Sequence, residues 1–126
     1  MNENYTFDGE WENGKPNGYG VLKFNNGDYY KGNLKNGKFD DDKGYFKEAN
    51  GYFEYEGNFK DGKFDGEGVA KWKDGKKYTG FFKNGKFDGK GIYEWPDGRK
   101  FDGSYKKGLK HGDGKIYLND GTVYIG

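Results

Sequence analysis

An aromatic residue followed two positions later by glycine recurs along this chain at a nearly constant spacing. The pairs that begin at Tyr30, Tyr55, Tyr78 and Phe101 lie about 23 residues apart, and an extended form, Tyr-Thr-Phe-Asp-Gly, begins at Tyr5. The glycines of these pairs are Gly9, Gly32, Gly57, Gly80, Gly103 and Gly126. A period of this length indicates a tandem repeat of supersecondary units. We therefore treat residues 1–126 as one array, with units at about 5–29, 30–54, 55–77, 78–100 and 101–123, and a sixth that begins at 124–126.

Each unit carries further glycines at fixed distances from the first, and together they point to a known family. Single glycines come five residues after the first, Gly-x-Gly pairs follow in most units, and a last glycine closes the unit. The pattern resembles the MORN repeat, whose consensus is close to Tyr-x-Gly-x-Trp/Phe-x-x-Gly-x-x-x-Gly-x-Gly, and it covers residues 5–126. The second unit departs from it, because Asp41 replaces a glycine and extra residues precede Gly44 and Tyr55. We expect a bulge or a looser turn at both places.

Within each unit, apolar and polar residues alternate with a period of two, which indicates strands. Tyr5, Phe7, Gly9 and Trp11, for example, share one face of the first strand. Aromatic residues make up 21% of the chain, so any core must consist largely of rings. We predict an all-β fold, an elongated single antiparallel meander sheet of tandem β-hairpins, twisted into a gutter-like ribbon with an aromatic inner face.

The turns and the strand glycines are each expected to have a specific role. We predict two-residue type I′ turns between units at Asn26-Gly27, Asp74-Gly75, Asp97-Gly98 and Asp120-Gly121. We predict longer loops inside the units at Asn13-Gly14, Asn36-Gly37, Asp61-Gly62 and Asn84-Gly85. Glycine weakens a strand, so the strand glycines need another reason, and we interpret them as sockets that receive aromatic rings from a neighbouring strand.

The sequence offers little for catalysis or for a cofactor. His111 is the only histidine, and no nucleophile accompanies it in its Lys-His-Gly loop. The run Asp40-Asp41-Asp42 lacks the spacing of a calcium loop, so we expect no metal. The Gly-x-Gly pairs are not followed by a helix, as dinucleotide binding would require. We predict a chain that is not an enzyme and that needs no cofactor.

The favoured function is binding of a protein or peptide partner, such as an amphipathic helix or an extended segment, in an aromatic groove. The alternative for each of these side chains is a place in the core. The candidate residues are Trp11, Phe24, Leu34, Phe59, Trp72, Phe82, Trp95 and Tyr105. Nucleic acid is not expected as a partner, because most rings are needed for the core. The resemblance implies a scaffold or adaptor at the cytoskeleton or cell cortex, or a regulatory region of a larger enzyme.

Binding to an anionic membrane lipid is the alternative function. The net charge is only +1, but Lys106, Lys107 and Lys110 give the last loop three positive charges and no negative one. The apolar strand that begins the sixth unit, around Tyr124, could also pair with a second copy of the chain through its open edge. The sequence shows no signal peptide or membrane span, and we expect an intracellular, cytoplasmic protein.

Overall fold

The fold is a single antiparallel sheet of twelve strands. The computed structural model describes residues 5–126, and no helix that could cross a membrane occurs within them. The strands are β1 (Tyr5–Glu12), β2 (Lys15–Phe24), β3 (Tyr29–Lys35), β4 (Lys38–Phe39), β5 (Asp41–Lys47), β6 (Phe53–Lys60), β7 (Lys63–Trp72), β8 (Lys77–Lys83), β9 (Lys86–Glu94), β10 (Lys100–Lys106), β11 (Leu109–Tyr117) and β12 (Val123–Ile125). They follow one another in meander order, except that the short β4 pairs only with β3. The predicted meander of tandem hairpins is confirmed.

A β-bulge divides most hairpins into a base and a tip. In the hairpin of β6 and β7, Gly57 pairs with Gly68, and the register then shifts so that Phe59 pairs with Phe64. The hairpins β1–β2, β8–β9 and β10–β11 shift after their own paired glycines. Because a bulge bends its strand and increases the local twist, each tip is re-aimed relative to its base.

The structure reverses the predicted turn types. The tips hold the two-residue turns, with both central residues in the left-handed region, as at Asn13 (φ 52°) and Gly14 (φ 76°). At the bases only the glycine is left-handed, and the loops have three residues, as where Trp72 N–H donates to Lys76 O and Gly75 N–H to Trp72 O. The prediction failed because Asp-Gly fits both turns. At the base, the Asp74 carboxylate accepts the Lys76 N–H at 3.1 Å, which favours the longer loop.

Three tyrosines form the centre of the core. Tyr30, Tyr55 and Tyr78 are completely buried. Each hydroxyl donates to a backbone carbonyl three residues ahead, and the Tyr55 bond to Asn58 O measures 2.9 Å. A β-carbon at Gly68 would collide with the Tyr55 ring. The interpretation of the strand glycines as sockets is confirmed, because the ring from one strand lies over the bare backbone of its neighbour.

Neighbouring units are joined at their tips by a repeated hydrogen bond. The turn glycine of one tip donates its N–H to a backbone carbonyl in the preceding tip. The acceptor is always the second residue after the turn glycine of that preceding tip, and each bond measures 2.9 Å. The pairs are Gly37 to Pro16, Gly62 to Phe39, Gly85 to Phe64 and Gly108 to Phe87. In a repeat array such contacts between neighbours add to the stability of each unit.

Both irregularities predicted for the second unit are confirmed. The pairing of β5 with β6 shifts between Asp41 and Gly44. The Asp41 carboxylate accepts hydrogen bonds from the backbone N–H groups of Asn33 at 2.7 Å and Lys43 at 2.8 Å. The following turn is one residue longer than the other base loops, because Glu48 N–H donates to Phe53 O. The carboxylate therefore holds the bulge in a place where the other units have glycine.

Candidate binding surface

Four of the eight side chains predicted to line a groove belong to the core instead. They lie in the tips, where the bulge turns them towards the central rings. The Phe59 ring, for example, sits edge-on to Tyr55 at 5.0 Å and to Phe64 at 5.4 Å. A partner could reach these side chains only by displacing their neighbours. The four residues are Leu34, Phe59, Phe82 and Tyr105, and their exposed fractions are 3% to 6%.

The other four predicted residues retain accessible surface. Phe24, Trp72 and Trp95 are half-buried and pack against the core. Trp11 is 45% exposed, and its ring packs on Tyr5 and Phe7 at the other end of the sheet. The structure therefore brings Trp72 and Trp95 close together, through Tyr93, and leaves Trp11 apart from them.

Sequence reasoning missed a row of phenylalanines that follows the tip turns. Phe39, Phe64 and Phe87 stack on the central tyrosines, with ring centroids 3.9 to 4.0 Å apart. Each ring is only partly buried, so it shields a tyrosine on one side and meets solvent on the other. The recurring Gly-Lys-Phe-Asp after three of the tip turns is the sequence signal that could have identified this row.

Together these half-buried rings form a surface that we call the aromatic ladder. Its members are Phe24, Phe39, Phe46, Phe53, Phe64, Trp72, Phe87, Tyr93 and Trp95. Trp72 is at its centre, with ring centroids 5.4 Å from Phe53, 6.3 Å from Phe87 and 5.9 Å from Tyr93. Burial raises the pKa of Tyr93, so this hydroxyl stays neutral at physiological pH. The ladder is therefore a largely apolar, uncharged strip.

Two clefts open beside the ladder. The larger has a volume of about 530 Å³ and is lined by Phe87, Tyr93, Trp95, Tyr105, Leu109 and Lys110. The smaller, of about 280 Å³, lies at the opposite end between Tyr5, Phe24 and Phe39. A cation lies over one of the lining rings, since the Arg99 guanidinium is 5.2 Å from the centre of the Trp95 ring. The ladder could thus receive apolar side chains at both ends.

The three lysines considered for lipid binding do not share one site. Lys106 and Lys107 line a separate cleft that also contains His111. The Lys110 ammonium instead lies 4.4 Å from the centre of the Phe101 ring and borders the apolar cleft. The side chains are therefore divided between two surfaces.

A family comparison matches most of the described chain. The model described as the MORN repeat matches residues 7–29, 55–77, 78–98 and 101–123. The chain belongs to the MORN repeat family. This family is generally a non-catalytic repeat module. Residues 30–54, which hold the Asp41 bulge and the longer turn, lie between the matched segments of this MORN chain.

Similar proteins are found among mammalian proteins named Alsin. Alsin from Rattus norvegicus, from Mus musculus and from Homo sapiens is 38% identical over 71 residues. The match covers 56% of this MORN chain and 4% of each relative. The chain thus spans a small fraction of the length of these relatives, and the similarity concerns a repeat module.

Proposed function

We propose that this MORN array is a non-enzymatic scaffold or adaptor that holds a protein or peptide segment against its aromatic ladder. The observation that carries the proposal is the row of half-buried rings on one side of the core. Large rings with an already fixed geometry gain contact area while losing little side-chain entropy, which is why they dominate many interfaces. The tyrosine centres lie beneath these rings, so a partner would be received without rearranging the fold.

The partner best suited to this surface is a segment with several apolar side chains on one face. The ladder supplies spaced rings, and its two end clefts supply pockets that could accept large apolar anchors. An amphipathic helix and an extended peptide both present side chains in this way. The ladder residues at the centre of such an interface would be Phe53, Phe64 and Trp72, because the Phe53 ring contacts the other two.

A displayed library of random peptides selected against the folded array would test the proposal. Selected peptides should bind Trp72→Ala and Trp95→Ala at least about tenfold more weakly than wild type, since a lost aromatic anchor commonly exceeds the free energy of one decade. Phe81→Ala is the matched control, because Phe81 is also aromatic and 45% exposed but is not part of the ladder. Circular dichroism and thermal unfolding would establish that each variant is folded.

Three results would contradict the ladder as a binding surface. Selected peptides that bind both tryptophan variants as tightly as wild type must contact another part of the sheet. A selection that returns no peptide with measurable affinity would remove the support for a peptide partner. A loss of affinity in Phe81→Ala alone would move the site to the other face.

A second candidate is a regulatory repeat region within a larger protein, and one observation favours it. The segment shared with the Alsin proteins accounts for only 4% of their length, so comparable repeats occur inside much longer chains. The test is the length of the open reading frame of the native transcript. A reading frame that adds a catalytic domain to this array supports the regulatory role, and one that ends at Gly126 contradicts it.

Three further parts of the proposal concern membranes, self-association and location. The division of Lys106, Lys107 and Lys110 between two surfaces disfavours a flat anionic membrane as the main partner. Self-association could use β12, whose Tyr124 is 59% exposed, and Tyr124→Lys should abolish any dimer seen in sedimentation. A cytoplasmic location, at the cytoskeleton or cell cortex, rests on the family resemblance, and imaging of the tagged full-length protein would test it.

A further inference from the structure

The fifth tip differs from the other four at equivalent positions, and the differences make its net charge more positive. The first turn residue is Asn or Asp in the other tips, but it is Lys107 here. The third residue after the turn glycine is Asn or Asp in the other tips, but it is His111 here. As a result, the tip from Lys106 to His111 contains no acidic residue. This combination separates the fifth tip from an otherwise regular lattice.

These residues form one wall of a large open cleft. The cleft has a volume of about 810 Å³ and lies between the tips of the fourth and fifth units. The fourth tip contributes Lys83, Lys86 and Asp88, and the fifth contributes Ser104, Lys106, Lys107 and His111. Lysines from both tips therefore converge on one concave space, where low-dielectric walls strengthen their combined field.

The charges in this cleft are not balanced by the protein. Asp88 is the only acidic residue in the lining, and its carboxylate already accepts the Lys107 backbone N–H at 3.3 Å. None of the four lysines takes part in an ion pair with any residue of the described range 5–126. The ion pairs of residues 5–126 occur elsewhere, at the base loops around Lys76 and Arg99 and between Lys100 and Glu94. An anion in the cleft would meet several uncommitted ammonium groups.

Lys107 occupies its place at a conformational cost. Its φ is 53°, in the left-handed region that lysine adopts rarely and that Asn and Asp tolerate better. The four equivalent residues are Asn13, Asn36, Asp61 and Asn84. Residues held in such backbone regions cluster at ligand-binding and active sites. The strained residue here is also the one that adds a positive charge to the cleft.

We propose that the cleft between the fourth and fifth tips binds a compact anion that carries several phosphate groups. Ammonium groups from two tips would contact phosphate oxygens, and Ser104 and His111 would supply further hydrogen-bond donors. The site is distinct from the aromatic ladder and does not depend on the scaffold proposal. Lys110, which lies over the Phe101 ring, is not part of it.

Calorimetric titration of the full chain with tripolyphosphate would test the site. The double variant Lys106→Asn/Lys107→Asn should bind at least about tenfold more weakly, because a hydrogen bond to a charged group is worth about one decade of affinity. Lys107→Asn alone should also bind more weakly while unfolding at the same or a higher temperature, because it restores the turn residue of the other tips. A folded protein that has lost binding distinguishes a ligand contact from a structural role.

The matched control is the third tip, which keeps the regular pattern. Lys60→Asn/Lys63→Asn removes the two lysines that flank the turn of this tip and should leave tripolyphosphate affinity unchanged. Vesicles of phosphatidylcholine with and without phosphatidic acid distinguish a free phosphate compound from a lipid headgroup. If Lys106→Asn/Lys107→Asn loses binding to both tripolyphosphate and phosphatidic acid vesicles, the same cleft binds the free phosphate compound and the lipid headgroup.

Three results would overturn the proposal. The first is a wild-type chain that does not bind tripolyphosphate at low salt. The second is an equal loss of affinity in the third-tip control, which would indicate unspecific attraction to surface lysines. The third is binding to phosphatidic acid vesicles without binding to tripolyphosphate, which would indicate a flat membrane contact and not a cleft.

Discussion

The fourth and fifth units share the same backbone arrangement but differ in the side chain that lies over the central ring. In the fourth, Tyr78 is completely buried, stacks on Phe87 at 3.9 Å and donates its hydroxyl to Phe81 O. In the fifth, Phe101 has no hydroxyl, and Lys110 covers its ring in place of phenylalanine. The comparison shows that the structural core of a unit is a pair of stacked rings laid over paired glycines. Where the outer ring is replaced, the sheet persists but the surface becomes polar and cationic.

The largest expected difference between the two units concerns their socket glycines. Gly91→Ala should destabilise the fold by about 3 kcal/mol, because the new β-carbon would collide with a Tyr78 ring that is fixed on both sides. Gly114→Ala should cost only about 1 kcal/mol, because the Phe101 ring lies beneath a flexible lysine and can shift. Thermal and urea unfolding of both variants would measure the difference.

Gly62→Ala provides a reference for the glycine-to-alanine change itself, since no atom lies within 4 Å of the added β-carbon but the turn has a positive φ. Equal losses for Gly91→Ala and Gly114→Ala would contradict the idea that the stacked pair fixes the inner ring.

Exchanging the outer residues of the two stacks is expected to have the next largest effect. Phe87→Ala removes a half-buried ring and should cost about 2–3 kcal/mol. Lys110→Phe should restore a stacked pair over Phe101 and stabilise the fifth unit by about 1–2 kcal/mol. Hydrogen exchange of the β10 and β11 amides would show whether the gain is local. Faster amide exchange in Lys110→Phe than in wild type would mean that the lysine stabilises this unit more than a stacked phenylalanine does.

The regular framework of the units could be predicted from the sequence. The spacing of aromatic residues and glycines predicts the strands, the hairpins and the meander, because a period of two and a period of about 23 leave few other arrangements. It also predicts the irregular second unit, where Asp41 breaks the pattern. These features depend on local residue chemistry, which the sequence states directly.

The burial of individual rings could not be predicted in the same way. Phe59 and Trp72 both follow the alternation of their strands, yet Phe59 is in the core and Trp72 is half-buried. The difference arises from the bulge after Gly57, whose effect on strand direction is not encoded in the spacing. The prediction of the turn types failed for a related reason. Asn-Gly and Asp-Gly suit the two-residue turn of a tip and the longer loop of a base equally well.

The second unit offers a further comparison, because a carboxylate replaces glycine there. Burial alone would raise the pKa of Asp41, but hydrogen bonds from Lys43 and Asn33 outweigh it and hold the pKa below the ordinary 3.8. Because these backbone N–H groups lose their ionised acceptor, Asp41→Asn should cost about 1 kcal/mol at neutral pH, a value reduced for the partial exposure of the carboxylate. Since the folded pKa is lowered, this stabilisation is present above pH 3.8 and disappears as the pH falls through the folded pKa.

Acid unfolding followed by circular dichroism would test this expectation. The stability gap between wild type and Asp41→Asn should close below pH 3.8. Asp42→Asn is the control, because Asp42 is adjacent in sequence but its side chain makes none of these hydrogen bonds. A gap that stays constant at low pH would mean that the carboxylate acts through its shape and not through its charge.

The smallest expected effect concerns the hydroxyl that distinguishes the two stacks. Tyr78→Phe removes the hydrogen bond to Phe81 O and should cost about 1 kcal/mol at neutral pH. Burial raises the pKa of Tyr78 from 10.0 to about 12, so the unfolded chain loses this proton at a lower pH than the folded chain. The stability that Tyr78 contributes is complete below pH 10 and is lost as the pH rises towards about 12.

Alkaline unfolding should therefore reduce the advantage of wild type over Tyr78→Phe and, in the upper part of this range, reverse it. Tyr52→Phe is the control, since Tyr52 is 53% exposed and its contact with Lys73 needs only the ring. The reciprocal change Phe101→Tyr adds a hydroxyl donor to the fifth unit. It should stabilise the fold by less than the Tyr78 hydroxyl does, because no second ring stacks on residue 101. An equal gain would show that the hydroxyl, and not the stacked pair, separates the buried fourth unit from the open fifth.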